Sequence, residues 1–328
     1  MTNKIRIGIV GYGNLGRGVH TAIQQNPDMS LECVFSRRDP STVEVVEPKV
    51  PVHSLDKVDN FKGDIDVLIL CGGSKNDLPE QGPALAELFC TVDSFDTHAR
   101  IPEYFEQVNT AAIKGGTTSL ISTGWDPGLF SINRLYGESI LPLGATYTFW
   151  GKGLSQGHSD AVRRVPGVKA AVQYTIPSEN AMQRVRNGEN PNLTTRERHT
   201  RECFVVLDDG ANEEEVRAAI VNMPDYFADY DTTVNFISMQ TLEQEHSSMP
   251  HGGVVIRSGT SGNNSNQVIE YSLALESNPE FTSSVLVAYA RAIYKLHKQG
   301  SKGAFTVFDI APGLLSPKSP AQLRKELL

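Results

Sequence analysis

The sequence predicts an α/β protein in two parts, a doubly wound parallel sheet and an α+β domain with a mixed sheet. In the first third of the 328 residues, apolar runs alternate with helical stretches, which is typical of βαβ units. From about Trp125 the predicted strands become longer and more polar, which suits a sheet with one covered face. The length is sufficient for two domains.

The first part has strand-like runs rich in Val, Ile and Leu without strict alternation. This pattern is expected when a parallel sheet is covered on both faces. The strands are predicted at Ile5–Val10, Leu31–Phe35, Val67–Cys71, Cys90–Val92 and Thr118–Ser122, and the helices at Gly13–Asn26, Pro83–Phe89 and Pro102–Lys114. Strand and helix therefore alternate as a doubly wound sheet requires.

The second part has strands whose apolar and polar residues alternate. They are predicted at Val168–Ile176, His199–Leu207, Thr232–Ile237 and Gln267–Leu275. A long helix is predicted over Phe281–Gln299, with Gly300 placed to end it. Asn187–Asn192 is a polar stretch of Gly, Pro and Asn that predicts a loop.

Composition and charge exclude several classes of protein. The chain has 30 basic and 38 acidic residues and a net charge of −8, whereas a general nucleic-acid binder shows a basic excess. The apolar run Val67–Cys71 is far too short to cross a bilayer, and no signal-peptide pattern opens the sequence. We therefore expect a cytoplasmic protein, with Cys33, Cys71, Cys90 and Cys203 as reduced, mostly buried thiols.

A glycine fingerprint follows the first predicted strand. The segment Gly11-Tyr12-Gly13-Asn14-Leu15-Gly16 fits G-x-G-x-x-G between a strand and a helix, which is the context of a Rossmann-type dinucleotide site. The glycines allow a tight turn, a close approach to a pyrophosphate and close packing of helix on strand. The pyrophosphate would lie at the helix N-terminus, where free N–H groups favour anions.

The end of the second strand indicates which dinucleotide binds. An NAD site carries an acidic residue there, but this strand ends in Phe35-Ser36-Arg37-Arg38. Two guanidiniums and a hydroxyl suit the 2′-phosphate of NADP. The alternative is a solvated basic turn in which Asp39 pairs with an arginine.

Later strand ends border the same cofactor site, because ligands bind at the carboxyl ends of such strands. Cys71-Gly72-Gly73-Ser74 ends the third strand and can approach the cofactor closely, although a plain tight turn is the alternative. Asp93-Ser94-Phe95-Asp96 and the segment with Trp125, Asp126 and Pro127 follow the next two strands.

Asp96 and Asp126 are the candidate catalytic residues. Two carboxylates at the mouth of the cofactor site suit a cationic group of a substrate, such as an ammonium. The alternative for Asp126 is a helix N-cap, with Pro127 at the first helical position. The alternative for Asp96 is a loop carboxylate near His98 and Arg100.

Two glycine-rich polar stretches of the second part predict ligand-binding loops, one from Phe149 to Asp160 and one from Met249 to Gly253. Arg201 lies within a strand pattern and must face solvent, a partner or a ligand, although such a residue is usually structural. No metal site is predicted, because the eight histidines form no metal-binding motif with each other or with cysteines. Serine-hydrolase and P-loop motifs are also lacking from the sequence.

The chain resembles the meso-diaminopimelate D-dehydrogenases of the bacterial lysine pathway. The resemblance runs essentially from end to end. It is carried by Ile9–Gly16, Phe35–Arg38, Ser122–Gly128, Gly153–Ala161, Met223–Phe227, Met249–Gly253 and Gly303–Val307. One departure from the family pattern is Lys152, at a position where the family carries proline. This difference bears on fine substrate preference and not on the class of reaction.

The resemblance implies reversible, NADP-dependent oxidative deamination at the D-centre of meso-2,6-diaminopimelate. The products would be L-2-amino-6-oxopimelate and ammonia. It implies a dinucleotide-binding domain of residues 1–124 that residues 305–328 complete, and a substrate-binding and dimerisation domain of residues 125–304. It also implies a homodimer.

The resemblance assigns residues as well. Asp96 and Asp126 would bind the D-centre, with Trp125, Trp150, Ser155, Gln156 and Gly157, and Asp160 belongs to the same substrate region. The distal L-centre would be held by Thr175, Arg201, His251 and Asn278. The cofactor would contact Gly11, Tyr12, Gly13, Asn14, Leu15, Ser36, Arg37, Arg38, Cys71, Gly72, Gly73, Ser74, Asp93, Ser94 and Phe95.

Three other functions remain as alternatives. A broader D-amino acid dehydrogenase would share the chemistry but hold the distal end loosely. Sugar oxidoreductases of similar fold resemble one another in a Glu-Lys-Pro motif after a later strand. This chain has Asp93-Ser94-Phe95-Asp96 in the matching region, which speaks against that function. A non-catalytic NADP-binding regulator would need the fingerprint but not the Asp, Arg and His residues.

Overall fold

The computed structural model describes residues 4–263 and 265–328. In chain order the strands are β1 Ile5–Val10, β2 Met29–Ser36, β3 Val52–Ser54, β4 Val67–Leu70, β5 Thr91–Asp93, β6 Thr118–Leu120, β7 Leu143–Trp150, β8 Gly153–Leu154, β9 Val168–Pro177, β10 His199–Leu207, β11 Asp231–Phe236, β12 His251–Ser261, β13 Ser265–Leu275 and β14 Gly303–Phe305. The helices are α1 Asn14–Gln24, α2 Leu78–Ala86, α3 Ile101–Gly115, α4 Leu129–Ile140, α5 Gln156–Arg163, α6 Glu179–Arg186, α7 Thr195–Arg198, α8 Glu213–Val221, α9 Met239–Glu245, α10 Asn278–Lys298 and α11 Pro320–Leu327.

The first compact unit comprises the described residues up to Ile132 together with Pro279–Leu328. Its sheet has the order β14-β6-β5-β4-β1-β2-β3, and its described strand pairs are all parallel. Two apolar clusters, one on each side, bury β4 completely and every residue of β1 except Arg6. The predicted Rossmann-type doubly wound sheet is confirmed.

The second compact unit comprises Asn133–Asn278 and contains two sheets. The sheet β11-β10-β9-β8 is mixed, because β10 pairs with β11 in parallel and with β9 in antiparallel fashion. The sheet β13-β12-β7 is antiparallel. The predicted mixed sheet is confirmed, and β7 and β12 are strands that the sequence analysis did not list.

The division of the chain differs from the predicted domain boundaries at 124/125 and 304/305. The units divide after Ile132 and after Asn278, since α10 packs into the core of the first unit. Leu286, Tyr289 and Ile293 of this helix are fully buried or nearly so. The helix ends as expected at Gly300, whose φ is 92°.

The predicted ligand loop from Phe149 to Asp160 is largely regular structure. It contains the end of β7, the short strand β8 and the first turns of α5. The predicted loop from Met249 to Gly253 likewise contains the start of β12. Glycines suggested loops at both places, but Gly153, Gly252 and Gly253 lie in strands where neighbouring groups leave no room for a Cβ atom. The loop Asn187–Asn192 is confirmed.

Candidate active site

The glycine fingerprint forms the turn between β1 and α1. Gly11 has a φ of 88°, and a Cβ atom on Gly16 would lie 2.2 Å from the carbonyl oxygen of Gly11, so both positions require glycine. A Cβ atom on Gly13 would meet nothing within 4 Å, which leaves this position open to a ligand. Gly11 and Gly13 border a cavity of ≈ 710 Å³ that also includes the ends of β2 and β4. The geometry fits a dinucleotide pyrophosphate at the N-terminus of α1.

Tyr12 contributes to this turn from inside the fold. Its side chain is buried, and its hydroxyl lies 2.7 Å from Nδ1 of His20 and accepts a hydrogen bond from the N–H of Val46 at 3.1 Å. Burial lowers the pKa of His20, so the imidazole is neutral at pH 7. Among the predicted cofactor residues, Asn14 also borders the cavity, whereas Leu15 packs on the core.

The basic turn after β2 borders the same cavity. The backbone N–H of Arg38 donates to the hydroxyl of Ser36 at 3.0 Å, and its guanidinium donates to the carbonyl of Tyr12 at 3.3 Å. Arg37 pairs with Asp77 at 2.6 Å. Asp39 does not pair with either arginine but bonds the backbone N–H and hydroxyl of Ser41. The Arg38 guanidinium is thus available to a phosphate, whereas Arg37 is shared with Asp77, a neighbour that could not be predicted from the sequence.

The turn after β4 is held by the same Asp77, whose carboxylate accepts a hydrogen bond from the N–H of Gly73 at 2.8 Å. Cys71 and Gly72 line the cavity, and burial raises the pKa of the Cys71 thiol, which keeps it protonated. The hydroxyl of Ser74 accepts a hydrogen bond from the N–H of Asp96 at 3.0 Å. This bond connects the turn after β4 to the turn after β5.

Asp93 lies inside the fold rather than at the cavity. Its carboxylate accepts hydrogen bonds from the N–H groups of Phe95 and Ser122, at 2.9 and 3.0 Å, and from the hydroxyl of Tyr104 at 2.8 Å. Burial raises the pKa of Asp93 to about 6, although these hydrogen bonds oppose the rise. Phe95 is also buried and stacks on Tyr104. Any contact of Asp93 or Phe95 with a cofactor would therefore involve the backbone. Ser94, between them, is half-buried.

Asp96 and Asp126 follow neighbouring strands of the parallel sheet, β5 and β6. Asp96 is exposed and Asp126 is half-buried, whereas Trp125 is buried against Phe130. Helix α4 begins at Leu129, so Pro127 is not at the first helical position and the predicted N-cap role of Asp126 is not observed. Both carboxylates thus lie at the carboxyl edge of the sheet, where the sequence analysis placed them.

In the second unit, four residues form one row across the mixed sheet, and we call it the substrate row. Gly153 of β8 faces Thr175 of β9, which faces Arg201 of β10, which faces Thr232 of β11. Paired residues on neighbouring strands point to the same face of a sheet. Arg201 and Thr175 therefore lie side by side, and a guanidinium N–H of Arg201 donates to the Thr175 hydroxyl.

Arg201 is a buried cation. It is 7% exposed, and its guanidinium lies 3.9 Å from the centre of the Tyr230 ring. Among the described residues it forms no ion pair with Asp or Glu. Burial lowers the pKa of Arg201, but an arginine stays charged at pH 7. A buried guanidinium without an anionic partner is well suited to bind a carboxylate from outside the chain.

His251 lies over Gly153 at one end of the substrate row. A Cβ atom on Gly153 would lie 2.5 Å from Cγ and Nδ1 of the imidazole, so only glycine leaves room for this ring. Asn278 follows β13, and its N–H donates to the carbonyl of Met249, two residues before β12 begins. Four predicted distal residues thus belong to one unit, with Thr175 and Arg201 on one face of the mixed sheet and His251, from β12 of the other sheet, packed over Gly153.

Trp150 is held by His199, a residue that the sequence analysis did not select. The N–H of Trp150 donates to Nε2 of His199 at 2.9 Å, and the two rings stack with centroids 5.5 Å apart. Burial, together with the nearby charges of Arg201 and Arg198, lowers the pKa of His199 to about 4. The neutral imidazole accepts this hydrogen bond throughout the physiological pH range.

Ser155 caps the N-terminus of α5. Its hydroxyl bonds Nδ1 of His158 at 2.7 Å, and burial followed by the charge of Arg201 lowers the pKa of His158 to about 4. Gln156 and Gly157 are exposed, and a Cβ atom on Gly157 would meet nothing within 4 Å. Asp160 pairs with Arg163 on the exposed side of the helix. The first turn of α5 is thus open, while Asp160 already has a cationic partner.

Lys152 belongs to the opposite face of the mixed sheet. Its ammonium lies 3.9 Å from Glu202 and 5.4 Å from the Tyr174 ring. Glu202 and Tyr174 alternate with Arg201 and Thr175 along their strands and so point away from the substrate row. The side chain of Lys152 therefore does not join Arg201.

No group of three His, Cys, Asp or Glu side chains able to hold a metal ion occurs in residues 4–263 and 265–328. No helix within the same described ranges is long and apolar enough to span a membrane.

Comparisons with known proteins agree with this description. Residues 124–277 match the family model described as diaminopimelic acid dehydrogenase C-terminal domain. The meso-diaminopimelate D-dehydrogenase of Ureibacillus thermosphaericus is 66% identical over 326 residues, covering 99% of this chain and all of the relative.

Two solved structures are similar over the whole fold. The C. glutamicum DAP dehydrogenase in complex with DAP is 49% identical with a TM-score of 0.91, and the match covers 100% of both chains. An engineered D-amino acid dehydrogenase bound to NADP+ is 47% identical with a TM-score of 0.85, covering 99% of this chain and 100% of the other.

Proposed function

The chain belongs to the meso-diaminopimelate D-dehydrogenase family, and we propose from this premise how its own residues carry out the reaction. The enzyme catalyses the reversible, NADP-dependent oxidative deamination of meso-2,6-diaminopimelate at its D-centre. Substrate, NADP+ and water give L-2-amino-6-oxopimelate, ammonia, NADPH and a proton.

The observation that carries this function is the buried cation Arg201. Its guanidinium has no anionic partner among the described residues and is fixed by Thr175 and Tyr230. A substrate with a second carboxylate supplies the missing anion through two parallel hydrogen bonds. Arg201 therefore holds the distal L-centre carboxylate, with Thr175, His251 and Asn278 around the same end.

Binding the distal end determines which centre reacts. When Arg201 holds one end of the substrate, the other end is the one presented for chemistry, and this orientation supplies part of the rate enhancement. Trp150, Ser155, Gln156 and Gly157 contact the substrate near its D-centre. Asp160, which pairs with Arg163, acts at the edge of this region.

The reacting end carries an ammonium, which must lose a proton before the C–N bond can become an imine. Asp96 and Asp126, at the ends of β5 and β6, bind this ammonium and accept or relay the proton. Trp125 supports Asp126 from the buried side.

NADP, when bound, supplies the hydride acceptor of the reaction. The fingerprint turn from Gly11 to Leu15 holds its pyrophosphate, and Ser36, Arg37 and Arg38 hold its 2′-phosphate. Cys71, Gly72, Gly73 and Ser74, with the backbone of Asp93, Ser94 and Phe95, form the edge of the same site.

The enzyme functions as a homodimer in the cytoplasm. The described α4 exposes Leu135, Tyr136 and Ile140, and an exposed apolar group of this kind favours a protein partner. The four cysteines are free thiols, three of them buried, which suits a reducing compartment. The predicted domains, residues 1–124 with 305–328 and residues 125–304, remain our proposal for how cofactor and substrate functions divide.

Nicotinamide reduction by the purified protein tests the function. We expect reduction of NADP with meso-diaminopimelate, and far less with NAD, with the L,L-isomer or with D-alanine. Broad activity on D-amino acids would instead indicate a loose distal site. NADP binding without turnover of any of these compounds would refute the dehydrogenase and favour a regulator.

A further inference from the structure

Gln173 lies on β9, one position before the substrate row on the same face of the sheet. Its side chain is fully buried, and neither its amide oxygen nor its amide nitrogen has a hydrogen-bond partner among the described residues. A buried amide without partners destabilises a fold, and methionine would fill a similar volume without that cost. The amide therefore needs an explanation other than packing.

The strand register brings Gln173 next to Arg201. Gln173 faces Cys203 across the ladder and Thr175 faces Arg201, so Gln173 and Arg201 are diagonal neighbours on one face. Diagonal neighbours are within reach of each other when their side chains are long. Thr232 flanks Arg201 on the other side.

The unmatched atoms of these three residues are complementary. Nε of Arg201 and Oγ1 of Thr232 are also buried and have no hydrogen-bond partner in the part of the chain that the structure describes. Nε of Arg201 is a donor, the amide of Gln173 offers one acceptor and one donor, and the hydroxyl of Thr232 can accept. Gln173 and Thr232 lie on opposite sides of β10, and no direct hydrogen bond joins Gln173 to Arg201, so the link that their atoms allow is a water molecule between the Gln173 amide and Nε of Arg201.

The backbone of Gln173 is fixed from the side of α5. Its N–H donates to the hydroxyl of Ser159 at 2.9 Å, and its carbonyl accepts from the N–H of Ser155 at 3.0 Å. Ser159 is fully buried. The amide of Gln173 therefore extends from a rigid base, as a residue that orients another side chain must.

We propose that Gln173 is a positioning residue for Arg201. One bound water molecule accepts a hydrogen bond from Nε of Arg201 and donates one to the amide oxygen of Gln173. The two Nη atoms then face the distal carboxylate of the substrate in a bidentate orientation. This inference rests on the proposed distal role of Arg201.

The test is calorimetric titration of meso-diaminopimelate into NADPH-saturated enzyme, where the reduced cofactor prevents turnover. We expect Q173M to weaken binding about tenfold, as loss of a hydrogen bond to a charged group does. In an R201K background, where the residue has no guanidinium Nε, the same change should weaken binding less than about twofold. Equal weakening in both backgrounds, or none in the wild-type background, would overturn the proposal.

A second readout separates positioning from packing. Methionine fills a similar volume, so the Tm of Q173M should stay close to that of the wild type, and the Kd for NADPH should be unchanged. A lower Tm with equal loss of affinity in both backgrounds would show a packing role. If Q173M does not fold, Q173L removes the same amide with another apolar side chain and should weaken binding in the same direction.

The wild-type titration distinguishes this inference from the function on which it rests. Wild-type enzyme that binds NADPH but neither binds nor oxidises meso-diaminopimelate would refute the proposed function. Wild-type enzyme that does both, beside a Q173M variant of unchanged affinity, would refute the role of Gln173 alone.

Discussion

Arg201 lies within a strand and yet carries a buried charge that forms no ion pair with Asp or Glu among the described residues. The fold makes this possible because Thr175 and Tyr230 contact the guanidinium on two sides. The neighbouring His158 and His199 have pKa values lowered to about 4, so they add no positive charge near it at neutral pH. Of these three side chains, Arg201 alone is therefore positively charged at neutral pH.

Replacing this cation should abolish substrate binding without affecting the cofactor. We expect R201M to lower kcat/KM for meso-diaminopimelate by about 100-fold or more, because a buried charge-assisted pair is lost. The Kd for NADP, measured by fluorescence titration, should stay the same. R196M removes an exposed arginine that pairs with Asp231 and serves as the matched control. Loss of NADP binding by a folded R201M variant would contradict the assignment.

Arg38 should determine the choice between NADP and NAD. Its guanidinium reaches the fingerprint turn and borders the cavity, while Arg37 is shared with Asp77. R38L should weaken NADP binding by about 10- to 100-fold, since a charge-assisted hydrogen bond is lost, and NAD binding by less than about threefold. R100L, which removes an exposed arginine of a surface pair, is the control. An equal loss for both cofactors would indicate a structural role of Arg38.

At the scale of elements, the sequence predicted most strands and helices of the parallel sheet, because continuous apolar runs leave few alternatives. It failed at β8, α5 and β12, where glycines suggested loops. Gly153 is a strand residue whose missing Cβ accommodates the His251 ring, and this requirement comes from a residue about a hundred positions away. Local patterns do not contain such information.

The ends of β5 and β6 and helix α3 are joined by the buried carboxylate of Asp93. Its pKa is raised from 3.8 to about 6, so the folded state binds this proton more tightly than the unfolded state. The free energy of unfolding therefore decreases as pH rises from about 4 to about 6 and is level above that range. The shift corresponds to about 2–3 kcal/mol.

D93N should remove this part of the pH dependence. The amide oxygen can keep the hydrogen bonds from Phe95 and Ser122, and the amide nitrogen can donate to Tyr104. Relative to wild type, the free energy of unfolding of D93N should rise by about 2–3 kcal/mol between pH 4 and pH 7. Chemical denaturation at several pH values measures it, with the exposed D59N as control. Parallel pH curves for D93N and wild type would contradict the raised pKa.

At the scale of the whole molecule, residues that lie together in the fold come from segments that are far apart in the sequence. The substrate row takes one residue from each of four strands, from Gly153 to Thr232. Helix α10 follows the second unit in the sequence but packs in the core of the first unit. The sequence motifs predicted the cofactor turn, which is contiguous. Thr175, Arg201 and His251 came from family resemblance, and Tyr230, His199, Asp77 and Gln173 were missed because only strand pairing and tertiary packing reveal their partners.

The assembly state is the remaining property at this scale, and α4 provides its test. Leu135, Tyr136 and Ile140 of this helix are 42%, 47% and 65% exposed. The helix packs against Arg257, and the half-exposed side chains of Ile269 and Tyr271 lie on the same face of the sheet as Arg257. If this apolar surface forms the homodimer interface, two carboxylates introduced there by substitution would be buried on association. The cost of desolvating them would prevent the dimer from forming.

We therefore expect the L135D/I140D variant to sediment as a monomer and the wild type at twice the chain mass. I113D changes an equally exposed apolar residue on α3 and should remain dimeric, which controls for the charge added. An unchanged Kd for NADP would show that the variant is folded. A dimeric L135D/I140D variant would place the interface elsewhere, and a monomeric wild type would refute the dimer itself. If the variant is monomeric and keeps its turnover, each subunit contains a complete active site.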